Sequence, residues 1–185
     1  MNTQFTSTAI TAAGLTIGIA LLLVEHFRWW KTGGGGAAAG GGGGNRDPKA
    51  LIPFWFGIAF GTLMVACPAG LLGTAAGFLR WGGNSIGDFL MSTLTGQKSS
   101  TVAAAAAPRL DSNGALIVTA IVITLFLLRR QIAKVAKGRF KWGVVAGTLL
   151  AIGTGTFAVI GQLVVPSVNS AGAALIGNIV HGEIL

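Results

Sequence analysis

The chain has 185 residues, 52% hydrophobic and 10% charged, with 30 glycines, no tyrosine and one cysteine. Soluble domains carry roughly 25% charged residues, so this composition, with a mean hydropathy of +0.72, excludes an ordinary water-soluble globule. A single thiol excludes an intrachain disulfide scaffold. The net charge of +8 points to nucleic acid or to a membrane face, depending on where the cations sit.

Four charge-free stretches are long enough to span a bilayer, which predicts an all-α polytopic transmembrane bundle. The first lies within 1–24, with its apolar part at 9–24. The second covers 51–79. The third, Ser112–Leu128, is about 25 Å long by helical rise and extends by snorkelling of Arg129 and Arg130. The fourth runs from Trp142 to Val165, where Pro166 is expected to end or kink it. Residues 167–180 are apolar, small and too few to cross alone. They either pack along the outer surface or continue the fourth helix past a bend.

Aromatic positions support these spans independently. Trp29, Trp30, Trp55, Trp81 and Trp142 all fall near predicted membrane–water boundaries, where an amphipathic indole is favoured. Orientation follows from the cations. Arg28, Lys31, Arg46 and Lys49 follow the first span, and Arg129, Arg130, Lys134, Lys137, Arg139 and Lys141 follow the third. Only Arg80, Lys98 and Arg109 lie between the second and third. The positive-inside rule therefore predicts both termini outside, with the whole charge excess facing the cytoplasm. The tail 1–8 has no basic n-region, so the first span is read as retained. The chain thus divides into a first span (1–32), a linker (33–50), a second span (51–81), an outer connection (82–111) and a C-terminal hairpin with a small-residue tail (112–185).

The linker holds a glycine-alanine tract at 33–44, read as a flexible tether. A phosphate-cradling loop would need a preceding strand, a following helix and a lysine at fixed spacing, and these are missing. In the outer connection, Asn84 or Ser85 is placed to cap a short helix. Ile86, Phe89, Leu90 and Leu94 fall on one of its faces, which is expected to roof the bundle or to lie at the interface. An alanine run at 103–107 then reads as part of an exposed linker.

The basic connection places Arg130, Lys134, Lys137 and Lys141 at helical spacing. With Arg129 and Arg139 they are candidate contacts for anionic lipid or DNA, since clustered cations gain by counterion release. The plainer reading is that these charges only fix topology. Small-xxx-small pairs occur at Gly14/Gly18, Gly57/Gly61, Gly73/Gly77 and Gly143/Gly147. The stripe Gly143–Gly147–Ala151–Gly155 is the best candidate for close helix packing, within one chain or between copies. No ionisable residue falls mid-span, which weighs against an ion-coupled transporter. His26 and His181 are predicted on opposite sides and read as boundary residues. Cys67 precedes Pro68 with no base nearby and reads as a kink. With no carboxylate pair, triad or metal-ligand cluster, the chain reads as non-enzymatic and without a cofactor.

The outline of 109–185, an apolar helix 115–128, a basic turn and a Gly-rich helix 142–165, resembles the mature pilins of type IV secretion and conjugation systems. That resemblance implies a helical hairpin whose basic turn lies beside transported DNA, with the alanine run as a cleavage site. In size and hydropathy the whole chain is similar to the small multi-span spread proteins of actinobacterial conjugative plasmids. The resulting expectation is a multi-pass cell-membrane protein that works as an oligomeric scaffold or channel component in DNA transfer. Its partners would be the bilayer, copies of itself or a membrane complex, and anionic lipid or DNA. A phage holin-like lesion former and a pilin-like subunit are the alternatives.

Overall fold

A computed structural model describes residues 9–31, 48–102, 109–128, 130–131, 134–152 and 157–180. Among the described residues the fold is all-α apart from one two-residue ladder. Strand β1 (Ile10–Thr11) pairs antiparallel with β2 (Thr101–Val102), joining the start of the chain to the end of the outer connection. Helix α1 (Ala12–Lys31) is capped by Thr11, whose hydroxyl accepts from the Gly14 amide at 3.1 Å. It closes on Arg28 and Lys31, which suit the negative end of the helix dipole.

A 3₁₀ turn (Pro48–Leu51) leads into α2 (Ile52–Ala66), with Pro53 in the first turn, where its missing donor costs nothing. The second apolar stretch, expected to be one span over 51–79, is two helices. Pro68 bars helical backbone at Cys67 (φ −69°, ψ 118°), so α2 stops there. Helix α3 (Gly70–Thr95) then runs on through what was expected to be a loop. It ends on Gly96, left-handed at φ 69°, whose amide donates to Ser92 O at 3.0 Å.

Helix α4 (Ser112–Leu128) is capped by Asp111, which accepts from the Gly114 amide at 2.7 Å. Helix α5 (Lys134–Leu150) takes up much of the basic connection, and α6 (Ala158–Val180) contains Pro166. The expected fourth span, 142–165, is therefore also divided, and the interruption follows Leu150 rather than Pro166. Ala151 and Ile152 are already outside the helix. At Pro166 the helix continues, and the neighbouring Ser167 hydroxyl donates to Leu163 O at 2.6 Å.

The largest helix–helix interface joins α2 and α5, which run parallel. α1 lies antiparallel to α5, with Gly18 against Leu149 and Leu150. α4 lies antiparallel to α6, with Gly114 against Asn169 and Gly172 against Asn113. Phe54, Ile58, Ala146 and Leu150 form one buried cluster, and Leu63, Ala66, Leu110, Val118 and Val165 form another. The expected hairpin of third and fourth spans is thus rearranged: α5 packs chiefly on α2, and α4 chiefly on α6.

Among the described residues three helices are long and apolar enough to cross a membrane: Ala12–Lys31, Pro48–Ala66 and Ala158–Ile179, with Ser112–Leu128 as a shorter apolar helix. Their outward faces carry large apolar side chains, among them Leu23, Phe27, Phe126, Leu127 and Leu163. Contiguous exposure of this kind is unsuited to water and suits lipid.

Candidate functional site: a basic end and a buried arginine

Helix α3 is inverted relative to a soluble helix. Ala76, Gly77, Arg80 and Gly87 face the bundle, while Leu71, Phe78, Trp81, Ile86, Phe89 and Leu94 face outward. Small residues let its backbone approach the neighbouring helices. A Cβ on Gly83 would strike the Leu149 side chain, and one on Gly87 would strike the backbone of Ala13. The helix does roof the start of α1 and the end of α5, but the apolar face expected to do so points away from them. Asn84 is no helix cap either. Its Oδ1 accepts from the Thr11 amide at 3.0 Å and its Nδ2 donates to Ala9 O at 3.3 Å, which fixes α3 to β1.

Arg80 was expected in the outer connection; it lies instead within α3 and is only 3% exposed. Its Nε donates to Thr148 O at 2.8 Å, and a terminal guanidinium nitrogen donates to Ala151 O. These are carbonyls at the end of α5, which lack intrahelical donors. Gly147 O and Leu150 O are taken by the amides of Ala151 (3.0 Å) and Ile152 (2.8 Å). Arg80 and these two amides together close most of an internal helix terminus.

At the opposite end, the C-terminus of α1, the N-terminus of α2 and the N-terminus of α5 come together. Glu25, 5% exposed, accepts from Arg139 Nε at 3.0 Å and lies 3.9 Å from Arg28. Arg139 also donates to Ala50 O. Arg139 is thus a tie between three helices, not the surface contact expected for DNA or lipid. His26 accompanies the tie, with Nδ1 2.8 Å from Leu22 O and its ring edge-on to Trp55 at 5.5 Å. Trp29, Trp30, Trp55 and Trp142 all gather at this end.

The remaining basic residues divide. Lys134, Lys137 and Lys141 share a face of α5, Lys134 and Lys141 exposed and Lys137 partly so. Arg130 is exposed in the preceding turn, off the helix on which it was expected. Arg129 lies outside the described residues, as do the glycine tract, the alanine run, Gly155 and His181. Among the described residues no three His, Cys, Asp or Glu side chains gather as a metal site.

The small-residue stripe is partly realised, within one chain. Gly143 meets Phe54 and Gly57, and Gly147 meets Ile58, so the two glycine pairs of α2 and α5 interlock. Ala151 is buried just beyond α5. No sequence signal joins Glu25 to Arg139 or Arg80 to Thr148, because the partners of each pair lie on helices far apart in the chain.

The Glu25–Arg139 tie makes a direct prediction. Breaking a buried pair from one side strands a charge. Glu25→Gln and Arg139→Gln should each lower stability by about 2 kcal/mol, less than for a fully enclosed pair, because Arg139 keeps Ala50 O in the first and Glu25 keeps Arg28 at 3.9 Å in the second. The double variant should be no worse than the poorer single variant, as read by unfolding in detergent. Additive losses would show the pair uncoupled. Compared with protein-family models, with curated proteins and with solved structures, the chain matches none.

Proposed function

We propose that the chain is a non-enzymatic, multi-pass protein of the cell membrane that serves as an oligomeric scaffold or channel component in DNA transfer. The observation that carries this reading is the segregation of exposed cations. Arg130, Lys134, Lys137 and Lys141 collect at one end of a bundle whose flanks are apolar. Such an end suits an anionic partner at the membrane face, either lipid or the DNA backbone. The reading has both termini outside and four crossings: α1, α2, α4, and a composite of α5 entering and α6 leaving. The interruption between α5 and α6 favours this scaffold over a simple pilin-like hairpin.

Orientation has its own test. In a Cys67→Ala background, a membrane-impermeant maleimide should label Gln97→Cys in intact cells and Lys134→Cys only after permeabilisation. The reverse pattern would overturn the orientation. For function, deleting the gene should lower transfer of the mobile element that carries it without slowing growth. Induced expression should leave the membrane potential intact. Abrupt depolarisation and lysis would instead identify a holin-like lesion former, and a hairpin-sized fragment in purified membranes would identify a pilin-like subunit.

A further inference from the structure

The basic end contains a cavity of about 360 Å³ between α2, α4 and α5. Pro53, Phe56, Leu125, Ala136 and Phe140 supply apolar walls, with the rings of Phe56 and Phe140 stacked at 5.9 Å. The aliphatic stems of Lys137 and Lys141, one turn apart on α5, complete this wholly apolar lining, which leaves their ammonium groups at its rim. Neither ammonium has an acidic partner among the described residues. Trp55 and Trp142 adjoin this lining in sequence and are exposed, as expected of side chains at the headgroup level.

We infer that this cavity is a binding site for one anionic phospholipid, with an acyl chain against the phenylalanines and the phosphate between Lys137 and Lys141. The inference rests on the reading of this end as the membrane interface. The pairing of chemistries selects the ligand. A DNA backbone would satisfy the two ammonium groups but leave an apolar cavity beside them, whereas a phospholipid satisfies both. The acyl chain moves between equally apolar surroundings, so it contributes little to selection. Discrimination comes from the headgroup. Phosphate against two lysines is favoured, whereas a choline headgroup brings its own cation to them. Long lysine stems can line the apolar wall while the charged tips reach the boundary.

The test uses the full chain purified in a neutral detergent and titrated with phosphatidylglycerol or phosphatidylcholine, with bound lipid counted by native mass spectrometry. One phosphatidylglycerol should be retained in preference to phosphatidylcholine, and millimolar inorganic phosphate should not displace it. Lys137→Gln/Lys141→Gln should weaken phosphatidylglycerol about thirtyfold, the loss of two juxtamembrane cations. Arg130→Gln/Lys134→Gln should leave it nearly unchanged. Ala136→Phe, or Leu125→Trp should the first fail to fold, fills the cavity and should abolish retention with both lysines in place. Equal losses in the two lysine-containing pairs, or undiminished retention in a folded cavity-filling variant, would overturn the site. Failure of the protein to remain in carbonate-washed membranes would instead overturn the membrane reading.

Discussion

Gly57→Leu is expected to cost about 3 kcal/mol or more, and Gly57→Ala a large part of that. A Cβ at this position meets the backbone of α5: Phe140 O, Gly143 Cα at 3.0 Å and Val144 N at 3.0 Å. No rotamer change relieves such a contact, so α2 and α5 must separate. Separation also loosens the partner contacts at Gly61, Gly143 and Gly147, since all four glycines share one interface. In lipid that interface gains nothing from expelling water, because the tails are as apolar as the side chains. Close packing is what remains to hold it. Gly82→Ala is the matched control, because a Cβ there meets nothing within 4 Å. Removing a mid-helix glycine should stabilise by up to about 1 kcal/mol. Equilibrium unfolding in mixed micelles measures both. Equal effects at Gly57 and Gly82 would show the close approach to be energetically irrelevant.

Those glycines show how far the sequence could be read. Gly57/Gly61 and Gly143/Gly147 were visible as small-residue pairs, but spacing alone could not say that they meet each other, because contact is a property of two helices. Pro68 is legible as a kink because its steric effect on Cys67 is local, but a kink and the observed division into two helices look alike in the sequence. The N-terminal caps at Thr11 and Asp111 are equally local, yet they sit beside apolar runs whose ends periodicity leaves vague. The break after Leu150 was overlooked because apolarity continues through it, and apolarity does not distinguish one helix from two. Among the candidate contacts, Lys134, Lys137 and Lys141 do lie together on an accessible face. Arg139 does not, because its partner Glu25 comes from a helix more than a hundred residues away.

Arg80 was the most misleading residue, and it carries the other large effect. A cation at the end of an apolar stretch normally marks the membrane boundary. Here it sits on the inward face of α3 because a helix terminus inside the bundle needs donors. Arg80→Met should cost about 4 kcal/mol. It removes two charge-assisted hydrogen bonds, each worth roughly 1.5–3 kcal/mol, and strands Thr148 O and Ala151 O. A buried guanidinium is itself costly, and replacing a buried ion pair with apolar residues is often neutral. That compensation fails here because the partners are backbone carbonyls, which no substitution deletes and which apolar surroundings leave unsatisfied. Arg80→Lys should recover only part of the loss, since one ammonium cannot reproduce the guanidinium fork across two carbonyls. Stability alone would not locate the damage. Hydrogen exchange would, because the amides of Ala151 and Ile152 bond to Gly147 O and Leu150 O at the same terminus. They should exchange faster in Arg80→Met while the amides of α4 keep their protection. Uniform loss of protection through α4 would mean that Arg80 supports the whole bundle; faster exchange confined to 151–152 would mean that it holds the end of α5 alone.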